Sequence, residues 1–130
     1  MSLEKRNLFV LHTQYTLILA VGLVKNTFKD DKNDLILFKD FNADVNLNDK
    51  IAGIFDKQKI LEGTFFAKKR NKFNRIKLVF SNLLKCKNFI NQEYDKVFIV
   101  TDMSLTELKI MNYVSNVNNK KAVEFIWLED

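Results

Sequence analysis

The side chains best suited to proton transfer or ligand binding directly follow apolar segments that read as strands. His12, the single histidine, ends the run NLFVLH, and Asp102 follows VFIVT. Glu129 and Asp130 follow FIWL at the end of the sequence. Histidine exchanges protons near neutral pH, and one of two adjacent carboxylates can raise or depress the pKa of the other for general-base work. Open α/β sheets bind ligands beyond the carboxyl ends of their strands, so these residues are candidates for one site.

Each candidate also has a structural interpretation. His12 can hydrogen-bond at a strand end without touching a ligand, and Asp102 can form the turn before the next helix. Thr13 and Gln14 add side-chain donors at the start of a predicted helix, which suits a sugar or an anion. Thr13 also has the residue type preferred at an N-cap. Because acidic residues are common after strands, the terminal pair alone is weak evidence for catalysis.

Strand and helix patterns alternate along the chain. Strand-like segments are Asn7–His12, Asp34–Lys39, Lys59–Phe66, Lys96–Thr101 and Val123–Leu128. Helical spacing marks Thr13–Lys25, Phe73–Leu84, Leu105–Val117 and part of Phe41–Gln58, where Gly53 weakens the pattern. The alternation predicts one domain over residues 1–130, an α/β Rossmann-like open sheet of about five mainly parallel strands with helices on both faces.

The apolar periodicity also predicts which helix residues face the core. These are Leu17, Ile18, Val21 and Val24 in the first helix, Phe73, Ile76, Val79, Phe80, Leu83 and Leu84 in a later one, and Leu108, Met111 and Val114 in the last. Ser104 and Glu107 have the spacing of a capping box. Cys86 is predicted to be a small buried hydrophobe.

The composition narrows the classes of ligand. There are 21 Lys+Arg against 16 Asp+Glu, a net charge of +5 that favours approach to anions. The basic segment Lys68–Arg75 fits a solvated loop better than a nucleic-acid site. One histidine and one cysteine cannot build a zinc site, so no metal is predicted. Neither a dinucleotide fingerprint nor a P-loop occurs, and no apolar run reaches the length of a membrane span.

The two ends of the chain together resemble bacterial sialyltransferases of glycosyltransferase family 52. In the segment NLFVLHTQYTLILA, residues 7–20, a strand ends in His-Thr, an aromatic residue follows and a leucine-rich helix begins, as in that family. The segments YDKVFIVTD, residues 94–102, and FIWLED, residues 125–130, also resemble it, as does their spacing. The likeness is patchy between Phe41 and Asn91.

The resemblance implies the N-terminal, acceptor-side half of a two-domain (GT-B) enzyme that transfers sialic acid from CMP-sialic acid to a cell-surface glycan. It implies Asp130 as the base, with Glu129 beside it, while the acceptor side is lined by His12, Thr13, Gln14 and Asp102. The family motif continues with a glycine where this sequence ends, so we expect a missing C-terminal domain to hold the CMP-sugar. The 130 residues would then bind no cofactor and transfer no sugar alone.

The expected partners follow from this interpretation: the glycan acceptor and the missing nucleotide-sugar domain, but no nucleic acid. We expect a cytoplasmic protein, and the composition is compatible with peripheral association at the inner face of the membrane and with self-association. Two alternatives stay open. One is a non-catalytic α/β module that binds nucleotides or nucleic acid through Lys68–Arg75. The other is an interaction domain that docks through the helix Phe73–Leu84.

Overall fold

The computed structural model describes residues 5–39, 51–62, 72–100, 105–119 and 121–128. Its strands are β1 Arg6–Leu11, β2 Lys32–Lys39, β3 Lys57–Glu62, β4 Lys96–Val100 and β5 Glu124–Leu128. The helices in this part of the chain are α1 Gln14–Asn26, α2 Lys72–Phe89 and α3 Leu105–Asn118. All strand pairs are parallel, in the order β3-β2-β1-β4-β5. The predicted α/β Rossmann-like open sheet is therefore confirmed.

The central strand β1 is buried on both faces, which is why it reads as a continuous apolar run. Leu8 and Val10 contribute to a core cluster with residues of α2 and α3, whereas Phe9 and Leu11 contribute to a second cluster with α1. All four side chains have no exposed surface. Successive side chains of a strand point to opposite faces, so this division places α1 on one face and the other two helices on the opposite face.

Aromatic packing strengthens the α1 face. The Phe9 and Phe98 rings stack in parallel, with centroids 4.5 Å apart, across the β1–β4 pair. Phe55 meets Phe9 edge-on at 6.0 Å, and Phe28 lies 5.4 Å from Phe98. These offset and edge arrangements are the favourable ones for aromatic rings. The chain after α1 and the turn before β3 are thereby packed against the sheet.

The helix faces predicted from periodicity are partly wrong. Ile18 is 65% exposed, Phe73 is 65% exposed and Leu108 is 49% exposed. The burial predicted for Ile76, Phe80 and Leu84 is also wrong, since all three are exposed. These helices carry apolar residues around more of their circumference than the sheet can cover, so spacing alone does not identify the buried stripe.

Of the helical segment predicted within Phe41–Gln58, residues 41–50 lie outside the described residues, and the part that follows residue 51 is wrong. Residues 52–56 form a turn in which Gly53 has a φ of 84°, a left-handed conformation that glycine adopts without a Cβ clash. β3 then begins at Lys57, so a helix cannot continue to Gln58. Ile51 and Phe55 are nevertheless buried. None of the helices in the described ranges is long and apolar enough to cross a membrane.

A buried carboxylate organises the amino edge of the sheet. Asp34, near the start of β2, has no exposed surface and accepts hydrogen bonds from Arg6 Nη1 at 2.8 and 3.1 Å. The Tyr94 hydroxyl donates to Asp34 Oδ2 at 2.8 Å. Burial, and then the Asp34 carboxylate, raise the pKa of the Tyr94 phenol far above its ordinary value. This network ties β1 and β2 to the loop that enters β4.

The end of α3 fastens the same loop. The Asn118 side-chain oxygen accepts from the Tyr94 backbone N–H at 3.0 Å, and its Nδ2 donates to the Tyr94 carbonyl at 2.7 Å. Both groups are buried, so the amide replaces the pairing that water would otherwise provide. Polar contacts at this edge therefore serve the fold.

Removing the Arg6 guanidinium should be more costly than removing the Tyr94 hydroxyl. Arg6→Met leaves the buried Asp34 charge without its cation, and we expect the free energy of unfolding to fall by about 3–5 kcal/mol. Tyr94→Phe removes one hydrogen bond and should cost about 1–3 kcal/mol. Urea denaturation at neutral pH measures both, and equal losses below about 1 kcal/mol would contradict a structural role for Asp34.

Candidate functional site at the carboxyl edge

The strand order contains one reversal, between β1 and β4, and open α/β sheets bind ligands at such a reversal. From β1 the chain passes through α1 to β2 on one side, whereas β4 lies on the other side of β1 and is reached through α2. The direction of strand addition therefore reverses between β1 and β4. At such a switch point, a crevice opens beyond the carboxyl ends of the two strands. His12 follows β1 directly.

His12, at this edge of the sheet, is paired with an acid from α3. Its Nε2 contacts Oε1 of Glu107, in the first turn of the helix that follows β4. The His12 side chain is 21% exposed, whereas the Glu107 side chain is 2% exposed. The imidazole also stacks on Phe38 of β2, with centroids 4.8 Å apart and planes 9° from parallel. Three elements thus hold the ring while part of it remains open to solvent.

This geometry suits proton transfer by His12. A buried carboxylate beside an imidazole orients the ring and stabilises the imidazolium that forms when the ring takes a proton. The stacked Phe38 ring restricts the remaining motion of the imidazole. Glu107 is almost out of contact with solvent and is therefore suited to positioning His12. The His12 Nε2 is buried against Glu107, so a ligand would meet the remaining, exposed part of the ring.

Periodicity alone did not identify Glu107 as a site residue. The spacing to Ser104 predicts a capping box, but Ser104 lies outside the described residues, and the Glu107 carboxylate contacts His12. The available signal was an acid in the first turn of a helix that follows a strand. Its meaning depends on β4 being the neighbour of β1, which is a fact of strand order.

Thr13 caps α1, as the sequence predicts. Its side-chain oxygen accepts from the Thr16 backbone N–H at 3.1 Å, and the two hydroxyls lie 2.8 Å apart. The Thr13 hydroxyl is thus engaged in the helix cap, beside His12. Gln14 begins α1 and is exposed at the same edge. Helix N-termini favour anions and hydrogen-bond acceptors, so Gln14 lies where a polar ligand would be met.

The three acidic candidates fall outside the described residues: Asp102, Glu129 and Asp130. β4 ends at Val100 and β5 ends at Leu128, and both strands are parallel to β1. Their carboxyl ends therefore lie at the same edge as His12. The roles predicted for these acids stay predictions.

Cys86 lies in α2, on the face of the sheet that α3 also covers. It is fully buried, which confirms the sequence prediction. Burial, and secondarily the Glu107 carboxylate, raise the pKa of its thiol from 9.0 to about 12, while Lys59 acts in the opposite direction. The thiolate is the reactive form of cysteine, so a thiol with this pKa is unreactive at neutral pH.

A separate open pocket of about 390 Å³ lies at the opposite, amino edge. Its lining includes Lys25, Lys29 and Lys32 together with Asp30, Asp31 and Asp56. Because both signs of charge are mixed there, the pocket has no clear preference for an anion or a cation. Within the described ranges, no three His, Cys, Asp or Glu side chains are grouped so as to hold a metal ion.

Comparison with known proteins identifies the fold and no family. No protein-family model matches the chain, and no curated protein matches it. Two crystal structures of the C-terminal domain of the PF1911 hydrogenase from Pyrococcus furiosus have similar folds. The first has a TM-score of 0.61 at 13% identity and covers 98% of this chain and 94% of that one. The second has a TM-score of 0.57 at 11% identity, with coverages of 98% and 95%.

We expect His12 and Glu107 to be energetically coupled. His12→Leu removes the contact that His12 makes with the buried Glu107 carboxylate, and it should lower the free energy of unfolding by about 1–3 kcal/mol. The double variant His12→Leu/Glu107→Leu should lose less than the sum of the single variants, by at least about 1 kcal/mol. Denaturant unfolding of the four proteins measures this coupling, and additive losses would show that the pair is not coupled.

The raised pKa of Cys86 predicts a loss of stability in alkali. The folded protein keeps the thiol protonated, so its contribution is fully present below about pH 9 and declines as the pH rises toward 12. Cys86→Ala removes this contribution. The stability difference between wild type and variant should therefore shrink above about pH 9, by at most about 1.4 kcal/mol per pH unit. Denaturant unfolding across this range measures the difference, and a constant difference would contradict the burial effect.

Proposed function

We propose that this chain is the acceptor-side half of a glycosyltransferase that moves sialic acid from CMP-sialic acid to a cell-surface glycan. The observation that carries the proposal is the partly exposed His12 imidazole, paired with buried Glu107 at the point where strand order reverses. Such a group can bind a sugar hydroxyl and exchange its proton. The resemblance to family 52 sialyltransferases supports the choice of substrate.

The arrangement of strand ends also supports the proposal. The three segments that carry the resemblance contain the carboxyl ends of β1, β4 and β5. These strands are parallel neighbours, so their carboxyl ends lie at one edge of the sheet. Adjacent strands are about 4.8 Å apart, so the ends of β1 and β5 are separated by about 10 Å, a distance that a sugar ring with its hydroxyl groups can bridge. A glycan acceptor in this space would meet groups from all three strand ends.

Each residue then has a chemical role in the proposed reaction. Asp130, assisted by Glu129, takes the proton of the acceptor hydroxyl as that oxygen attacks the anomeric carbon of the donor. His12 hydrogen-bonds the acceptor and fixes its orientation, with Glu107 as the residue that positions the ring. Gln14 and Asp102 bind further hydroxyl groups, and Thr13 maintains the helix start beside them. CMP leaves with its phosphate, held by the carboxyl-terminal domain.

A transfer assay in the natural full-length protein, with CMP-sialic acid and an acceptor glycan, tests these roles. Asp130→Asn should lower kcat by about 10²–10⁴-fold, because the general base is lost. His12→Gln should mainly raise the KM for the acceptor, and Glu107→Gln should do so less strongly. The isolated 130 residues should transfer no sugar.

Glu124→Gln provides the matched control, because Glu124 is exposed at the amino end of β5, away from the proposed site. We expect this variant to keep wild-type kinetics. Full activity of Asp130→Asn would refute the assignment of the base. Absence of sialic acid transfer by the full-length protein, or transfer by the isolated chain, would refute the function as stated.

A further inference from the structure

The outer side of α2 carries an apolar stripe that the described residues do not cover. Phe73, Ile76, Phe80 and Leu84 recur at intervals of three and four residues, which places them along one side of the helix. Their exposed fractions are 65%, 45%, 68% and 61%. At 1.5 Å per residue the stripe is about 17 Å long. We refer to these four residues as the α2 stripe.

The charges of α2 are all of one sign. The helix contains no acidic residue, and it has five exposed basic residues: Lys72, Arg75, Lys77, Lys85 and Lys87. The Lys77 ammonium lies 4.7 Å from the centroid of the Phe73 ring, so charge and apolar surface are interleaved. Within the part of the chain that the structure describes, no carboxylate pairs with any of the five. An apolar stripe flanked by cations is the composition of helices that lie in the interface of an anionic bilayer.

We propose that α2 docks on an anionic membrane surface, with the α2 stripe inserted among the headgroups and the basic residues paired with lipid phosphates. The proposal is compatible with a cytoplasmic glycosyltransferase that meets a lipid-linked or cell-surface glycan, but it rests on α2 alone. Each Lys or Arg near an anionic surface strengthens binding about fivefold, and each inserted Phe about tenfold or more.

Two other occupants of this surface are less consistent with its chemistry. A nucleic acid would use the positive charge and stack bases on aromatic rings, but Ile76 and Leu84 offer aliphatic surface that does not serve base stacking. A second copy of the chain joined through the same face would bring two sets of five positive charges together, which is unfavourable. A lipid surface satisfies both the apolar and the basic residues.

Helix α1 provides an internal control. Tyr15 and Ile18 are 60% and 65% exposed, so α1 also presents apolar side chains to solvent. Its charged residues are limited to Lys25 in the last turn. If exposed apolar surface alone drove membrane binding, both helices would contribute. If the combination with positive charge is required, only α2 should.

Vesicle sedimentation tests the proposal, with vesicles of phosphatidylcholine alone and of phosphatidylcholine mixed with phosphatidylglycerol. We expect at least about tenfold tighter binding to the mixed vesicles, weakened by added salt. Phe73→Ser/Phe80→Ser should reduce binding about a hundredfold or more, and Lys77→Gln/Lys85→Gln should reduce it about 25-fold. Ile18→Ser should bind like the wild type. Circular dichroism and urea midpoints confirm that the variants are folded, which is expected because the substituted residues are exposed.

Several results would overturn this proposal. They are absence of vesicle binding, equal binding to both vesicle types, and equal loss in Ile18→Ser. Tighter binding to a labelled oligonucleotide than to mixed vesicles would favour nucleic acid instead. A dimer detected by light scattering that Phe73→Ser/Phe80→Ser dissociates, without vesicle binding, would identify a self-association face. Transfer activity is measured separately on soluble acceptor, so failure of membrane docking leaves the proposed function unaffected, and the reverse also holds.

Discussion

The two-sided burial of β1 is the constraint on which the rest of the structure depends. Leu8, Phe9, Val10 and Leu11 have no exposed surface, so helices must cover both faces of the strand. Helices can reach both faces only if the chain leaves β1 in one direction and later returns to its other side. That return is the reversal between β1 and β4. The strand reversal beside His12 is therefore a consequence of how the core is covered.

Polar residues at the amino edge of the sheet have structural roles, whereas those at the carboxyl edge form the candidate site. At the amino edge, Asp34 is buried and paired with Arg6 and Tyr94, and the loop entering β4 is fastened by Asn118. These polar groups are satisfied by one another, so they stabilise the fold without offering much to a ligand. At the carboxyl edge, His12 is held by partners yet keeps part of its surface open. Proton transfer requires that combination of fixed orientation and access.

Two helices leave part of their apolar surface exposed to solvent. α1 and α2 both leave large hydrophobic side chains exposed, and patches of this kind often mark interaction sites. The difference between them is electrostatic, because α2 is uniformly basic whereas α1 is almost uncharged. The proposed anionic surface therefore suits α2 and does not suit α1.

Local pattern was sufficient for most of the strands and helices and for the position of His12 at a strand end. Continuous apolar runs identified β1 and β4, hydroxyl chemistry identified Thr13 as a cap, and the strand end identified His12, because each depends on neighbouring residues only. Tertiary structure decided the rest. The partner of His12 is Glu107, far along the chain, and the exposure of Phe73 depends on how much of α2 the sheet covers. The His12–Glu107 contact and the exposure of Phe73 both follow from strand order and helix placement. Long-range packing sets these, so they cannot be predicted from the periodicity of a single segment.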